Sequence, residues 1–282
     1  MPSARHSAPG GSIVQTLPSN SDLLASLPTD RRLAGKTAII TGSTSGIGAA
    51  IARVLAASGT RVIVSGRDAT RAQQVVNEIV HAGGEAFAVP ADLSGPYADL
   101  RTFACAATVA LGGRVDVLVN NAGVYPVTPT EDLADTDLEA ILSTNVRAPH
   151  VLVGAIAPGM AERGGGVIVN IGSWMGRTGT ASGAMYTASK AAIEQLTRNW
   201  AAEYGPRGVR VNTVAPGATL TPGNAAYSAA LDAMTAGTVA GRPVRPVDIA
   251  YAVRFLVSDE AAFVHGSILD VDGGMNSARL RF

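Results

Sequence analysis

The stretch that most restricts how this chain can fold is Lys36 to Ser58. Lys36-Thr37-Ala38-Ile39-Ile40-Thr41 reads as a buried strand, Gly42-Ser43-Thr44-Ser45-Gly46-Ile47-Gly48 as a tight turn, and Ala49 to Ser58 as a helix. Strand, glycine-rich turn and helix in that order build a phosphate cradle, because the helix start offers free N–H groups and a positive dipole end. The spacing is Gly-x3-Gly-x-Gly, not the Gly-x-Gly-x2-Gly of long-chain dinucleotide binders.

The rest of the chain repeats the alternation. Strands are expected at Arg61–Ser65, Glu85–Val89, Val115–Asn120, Gly166–Ile171, Val209–Val214 and Ser267–Val271. Between them lie helices at Asp68–His81, Tyr97–Leu111, Asp135–Glu162, Gly183–Tyr204 and Pro246–Ser258. The Asp135 helix is interrupted at Asn145 and bent near Pro149 and Pro158, since an internal proline removes a helix hydrogen bond. Strands alternating with helices imply an α/β fold, a doubly wound parallel sheet covered on both faces. Every segment after Lys36 fits one domain, residues 34–282, behind a tail at residues 1–33 that is flexible or lies on a neighbouring subunit.

Composition excludes several classes. Formal net charge is zero and only 16% of residues are charged, so no nucleic acid is expected as a partner. No apolar stretch reaches the ~20 uncharged residues a membrane helix needs, and no secretory core follows the first basic residue. The four histidines are scattered, which predicts no metal site. The one cysteine, Cys105, is expected to be a small buried side chain. Of the 22 basic residues only Lys36 and Lys190 are lysines. Lysine is kept where a compact ammonium and a planar guanidinium are not interchangeable.

Lys190 lies four residues after Tyr186, on the same helix face. A phenol ionises near pH ~10. A fixed ammonium one turn away should pull that value down and make the pair an acid and base near neutral pH. In doubly wound sheets ligands bind beyond the carboxyl ends of the strands. There the sequence places the Gly42 loop, Asp92, Asn120-Asn121-Ala122-Gly123, Ser173 and Pro216-Gly217.

From about Leu33 onward the chain resembles the short-chain dehydrogenases/reductases in their single-domain, Rossmann-like form. The resemblance rests on Thr41-Gly42-x3-Gly46-Ile47-Gly48, Asp92, Asn120 to Gly123, Asn145, Ser173, Tyr186-x3-Lys190, Pro216-Gly217 and Val271-Asp272-Gly273-Gly274. The segment from Gly241-Arg242-Pro243 to the end resembles the branch containing the 3-oxoacyl-carrier-protein reductases. The resemblance implies hydride transfer between a nicotinamide cofactor and a carbonyl/alcohol pair, in a cytoplasmic homotetramer acting on a small molecule. Tyr186 would move the proton, Lys190 would lower its pKa and hold the ribose, and Ser173 would bind the substrate oxygen. Asn145 would hold a water behind Lys190. The cofactor would touch Gly42, Ser43, Ser45, Gly46, Ile47, Gly48, Asp92, Leu93, Asn120, Ala122, Gly123, Tyr186, Lys190, Pro216, Gly217, Thr219 and Thr221.

Strand two ends Ser65-Gly66-Arg67-Asp68. Gly66 stands where an acidic residue would choose NAD, Arg67 can pair with a 2′-phosphate, and Asp68 reads as a helix cap. NADP(H) is therefore expected over NAD(H). The preference is not extreme, because Ser45 stands where a second basic residue is often seen. The substrate pocket is expected from Val124–Thr130, from Trp174–Gly183 with Trp174 in contact, and from a mobile lid at Thr219–Gly241. These segments suit a neutral, apolar ketone or alcohol. Two rivals are a cofactor-sensing binding protein, which would be expected to lose the tyrosine or lysine, and an extended epimerase or dehydratase, which would carry a further substrate domain.

Overall fold

The computed structural model describes residues 31–278. Seven strands form one sheet: β1 (Thr37–Ile40), β2 (Arg61–Val64), β3 (Glu85–Ala88), β4 (Val117–Asn120), β5 (Gly166–Ile171), β6 (Val209–Pro216) and β7 (Ile268–Val271). Their order is β3-β2-β1-β4-β5-β6-β7 and every pairing is parallel. The helices are α1 (Gly46–Ala57), α2 (Ala69–His81), α3 (Tyr97–Ala110), α4 (Asp135–Glu162), α5 (Ala184–Tyr204), α6 (Ser228–Thr235) and α7 (Pro246–Val257). The expected doubly wound fold is the one observed.

Alternation along the central strands explains the two cores. Ala38 and Ile40 of β1 point to the layer of α1, α2 and α7. Ile39 points to the layer of α3, α4 and α5. Both faces being covered, the strands need apolar residues on both sides, which is why they read as unbroken apolar runs. Leu33 is already core, its N–H donating to the Ser58 carbonyl at 3.1 Å. Arg32 pairs with Glu260 at 2.8 Å, and of the tail expected at residues 1–33 only residues 1–30 lie outside the described residues.

Four local features differ from expectation. Cys105 is exposed, not buried. The buried stripe of α3 is Leu100, Phe103, Ala104 and Ala107, and Cys105 sits one position round the helix from it. The interruption at Asn145 is a π-helical segment, Leu142–Arg147. Pro149 has no N–H to give the Asn145 carbonyl four residues back, and the widened turn is how the helix continues past that loss. α4 is long and apolar enough to span a membrane by length and composition, yet 56% of its most apolar window is buried in the molecule. The expected lid is largely helical, a 3₁₀ turn at Pro222–Tyr227 leading into α6.

Candidate active site

The carboxyl ends of the strands open into a cleft of about 500 Å³. Its left half is the turn after β1. Gly42 has φ +63°, and a Cβ there would lie 2.8 Å from the Ala122 Cα. A Cβ on Gly48 would lie 2.4 Å from both the Gly42 carbonyl and the Asn121 amide. Those contacts exclude any side chain and let the turn close on the start of α1. Asn121 locks it: its Nδ2 donates to the Thr41 carbonyl at 2.8 Å and the Gly42 carbonyl at 3.1 Å. The Thr41 hydroxyl accepts from the Asn121 and Ala122 N–H groups at 3.0 and 3.1 Å. Ser45, the residue before α1, makes no capping bond with its own side chain, and no acidic residue stands in the first turn. The amides of that turn remain available to an anion.

The second-strand end carries Gly66 and Arg67, both lining the cleft. A Cβ on Gly66 would lie 2.7 Å from Thr44 Cγ2. An acidic side chain cannot be placed there unless Thr44 moves. Asp68 caps α2, accepting from the Arg71 N–H at 3.0 Å, as its sequence position suggests. Asp92 accepts from the N–H and hydroxyl of Ser94 at 3.0 and 2.7 Å. Those bonds, with a smaller contribution from nearby Arg67, hold its carboxyl below the usual range.

At the other end, the start of α5 brings Tyr186 beside Ser173, and Lys190 lies one turn deeper. The Lys190 ammonium is buried, donates to the Ile171 carbonyl at 2.9 Å, and lies 5.9 Å from the Tyr186 ring centre. Here the structure corrects the sequence reading. The phenol is not pulled down: burial pushes it up, only partly opposed by its hydrogen bond with Ser173. Burial also lowers the lysine, to about 8. Both groups lose water on the same wall of the cleft, and desolvation outweighs their mutual help.

Asn145 stands behind Gly123. Its Oδ1 accepts from the Val124 N–H at 2.9 Å, and its Nδ2 donates to the Val124 carbonyl at 2.9 Å and the Ser189 hydroxyl at 3.0 Å. The side chain thus fixes the turn after β4 against α5. It does not line the cleft, and neither do Ser43, Asn120 or Trp174. Ser43 is wholly buried, donating to the Ile40 carbonyl at 2.7 Å and accepting from the Ser65 N–H at 2.9 Å. Asn120 donates to Asn170 at 2.9 Å, which donates to Thr197 at 2.7 Å, a buried link between the sheet and α5. Trp174 opens a 3₁₀ turn, Trp174–Arg177, that leads the chain away from the cleft, and its carbonyl accepts from Asn276 at 3.0 Å. The remaining expected residues, Gly42, Ser45, Gly46, Ile47, Gly48, Arg67, Asp92, Leu93, Ala122, Gly123, Ser173, Tyr186, Lys190, Pro216, Gly217, Thr219 and Thr221, do line it.

Residues the motifs did not single out also line the walls, among them Thr44, Tyr125, Ala140, Thr144 and Asn224. Asn224 accepts from the Thr221 N–H at 2.7 Å and donates to the Thr219 carbonyl at 2.9 Å, which shapes the entry of the lid. Arg177, close by in sequence, is turned outward. Its guanidinium pairs with Glu194 at 3.2 Å and grips Asp270 with both remaining nitrogens. Among the described residues, the charged side chains lining the cleft are Arg67, Asp92 and Lys190. No group of three or more metal-ligating side chains occurs among the described residues.

Comparison with known proteins agrees with this geometry. Residues 36–232 match the family described as short chain dehydrogenase. The chain is 36% identical over 248 residues to cyclopentanol dehydrogenase from a Comamonas species, covering 86% of this chain and 98% of that one. A short chain dehydrogenase from Burkholderia cenocepacia J2315 in complex with NADP superposes with a TM-score of 0.81 at 39% identity, covering 87% and 100% of the two chains. A 7α-hydroxysteroid dehydrogenase complexed with NADH and 7-oxo glycochenodeoxycholic acid gives 0.82 at 40% identity, covering 87% and 96%.

Proposed function

Since this chain belongs to the short-chain dehydrogenases, enzymes acting on alcohol and carbonyl groups, we propose that it transfers hydride between NADP(H) and an uncharged ketone or secondary alcohol. The observation that carries the reading is the meeting of Ser173, Tyr186 and Lys190 at one end of a cleft whose other end is a phosphate cradle. The nicotinamide, when bound, supplies or accepts the hydride.

The chain's own residues do the rest. The first-turn amides of α1, with Gly42, Ser45, Gly46, Ile47 and Gly48, would receive the pyrophosphate. Asp92 and Leu93 would flank the adenine, and Ala122 and Gly123 would hold the dinucleotide at the sheet edge. Pro216, Gly217, Thr219 and Thr221 would bound the nicotinamide. Tyr186 gives its phenol proton to the carbonyl oxygen during reduction and takes one from the alcohol during oxidation. The Ser173 hydroxyl donates to that same oxygen as charge develops. Lys190 assists while it is an ammonium, below about 8. Asn145 positions Val124 and Ser189 around this pair.

NADP(H) is favoured by Arg67 in the cleft and by Gly66, which supplies no acidic selector at the end of β2. Asp92 draws on the same guanidinium, which moderates the preference. NAD(H) is the second reading, favoured by the NADH-bound relative of similar identity. The neutral substrate follows from the cleft's charged groups: two lie at the cofactor end, and Lys190 is buried beside Tyr186. The Comamonas relative, named for an uncharged alcohol, is in keeping with this. The test is absorbance at the nicotinamide band with NADPH and NADH against neutral and carboxylated ketones. No consumption with any of them, in protein shown to bind the dinucleotide, overturns the reading.

A further inference from the structure

Opposite the phenol the cleft has an aromatic wall that no motif announces. Tyr125 is 55% exposed and lines the cleft. Its ring packs edge-on against Tyr186, centroids 6.4 Å apart at 64°. Edge-on packing fixes the ring's orientation while leaving most of it uncovered. Its hydroxyl end reaches the lid, where a Cβ on Gly223 would lie 3.9 Å from it. On the same side Ala140 and Thr144, one turn apart on α4, line the cleft with small side chains.

Among the described residues the one charged side chain lining this half is Lys190, buried and bonded to the Ile171 carbonyl. Arg67 and Asp92 stand at the cofactor end, and Arg177 is held outward by Glu194 and Asp270. A carbonyl held by Tyr186 and Ser173 therefore projects its body onto an aromatic face, small side chains and no counterion. We infer that Tyr125 is the specificity-determining residue of this cleft, and that it selects ketones whose carbonyl belongs to, or is joined to, a ring. This rests on the hydride-transfer reading of Tyr186. A flat wall rewards a flat body, which makes full contact in one orientation. A straight chain of equal carbon count must freeze several rotors to do the same.

The experiment compares carbon-matched pairs with the full-length enzyme: cyclohexanone against the straight-chain methyl ketone of equal size, and acetophenone against its own. The readout is the ratio of kcat/KM within each pair. The wild type should favour the ring by about tenfold, combining ring stacking with the rotors a chain must freeze. Tyr125→Phe keeps the face and should keep the ratio. Tyr125→Ala should bring it to within about twofold of unity, and Tyr125→Leu serves if the alanine variant does not fold. A wild-type ratio near one, or a ratio that survives in the alanine or leucine variant, overturns the assignment. Turnover of straight chains without ring preference leaves the proposed function standing and removes only Tyr125. No turnover of any ketone removes both.

Discussion

Arg177→Met isolates the effect of one buried carboxylate. Glu194 is 3% exposed and pairs with the Arg177 guanidinium, 3.2 Å away. Burial already pushes its carboxyl above the ordinary 4.5. Methionine fills the channel without supplying charge. The Asp270 contact is partly exposed, and its loss costs about 0–1 kcal/mol. Glu194 is different, since an uncompensated buried charge costs about 3–5 kcal/mol. The carboxyl has an escape, however: it can take up a proton. At pH 7 that costs about 3.4 kcal/mol and at pH 5.5 about 1.4, since each pH unit is worth about 1.36 kcal/mol. The penalty is therefore capped by protonation and must shrink as the solution is acidified. The sign follows from linkage: a carboxyl whose folded value is raised contributes stability below its unfolded value, lost as pH rises through the folded one. Thermal melting followed by tryptophan fluorescence should show the variant roughly 6–12 °C below wild type at pH 7 and less than half that gap at pH 5.5. Adding Glu194→Gln should recover more than half of the loss at pH 7. A gap that does not change between the two pH values refutes the argument, because the cost would then not reside in the carboxylate's charge.

Other outcomes are expected. Tyr186→Phe should lower turnover by about 10²–10⁴-fold while NADPH fluorescence titration shows little change in affinity. Arg67→Ala should raise the KM for NADPH roughly tenfold to hundredfold and leave that for NADH nearly unchanged, the loss of one charge-assisted contact; higher kcat/KM with NADH in the unmodified enzyme would contradict the assignment. Lys190 is lowered by burial from 10.5 to about 8, so the folded protein binds fewer protons than the unfolded chain between those values and gains stability as pH rises through them. Lys190→Met should therefore melt above wild type at pH 7, by up to about 3 kcal/mol, and the advantage should vanish towards pH ~10.5. Light scattering at micromolar concentration should report a homotetramer, and a monomer would end that proposal.

The sequence carried the sheet because β1, β2, β4 and β5 are apolar on both sides, a pattern only a doubly covered parallel strand requires. It carried the two ends of the cleft because Gly42, Gly48 and the Tyr186–Lys190 pair obey local rules: turn geometry in one case, helix spacing in the other. What it could not carry depends on which way a chain turns after a strand ends. Trp174, expected at the substrate wall, opens a 3₁₀ turn and does not line the cleft, whereas Tyr125, within the expected Val124–Thr130 segment, does. The phenol's raised value was equally hidden, since spacing reports the nearby ammonium but not the water both groups lose. Cys105 lies a single step round α3 from the buried stripe of Leu100, Phe103, Ala104 and Ala107, where the surrounding run is apolar on both sides of that stripe.

The packing of α1 against α7 has a consequence for how this protein is made. α1 opens the cofactor cradle, yet its buried face, Ala49 to Ala56, is closed by Ile249, Ala250 and Val253 from near the other end of the chain. On the ribosome the glycine turn emerges some two hundred residues before the helix that covers its back. Loop closure over that separation must be met before the cradle is rigid. An interrupted translation product ending before Pro246 would contain every cofactor and catalytic residue named here and still lack the support that keeps them in place. Such fragments should be substrates for chaperones and proteases, and should not accumulate as partly active enzyme.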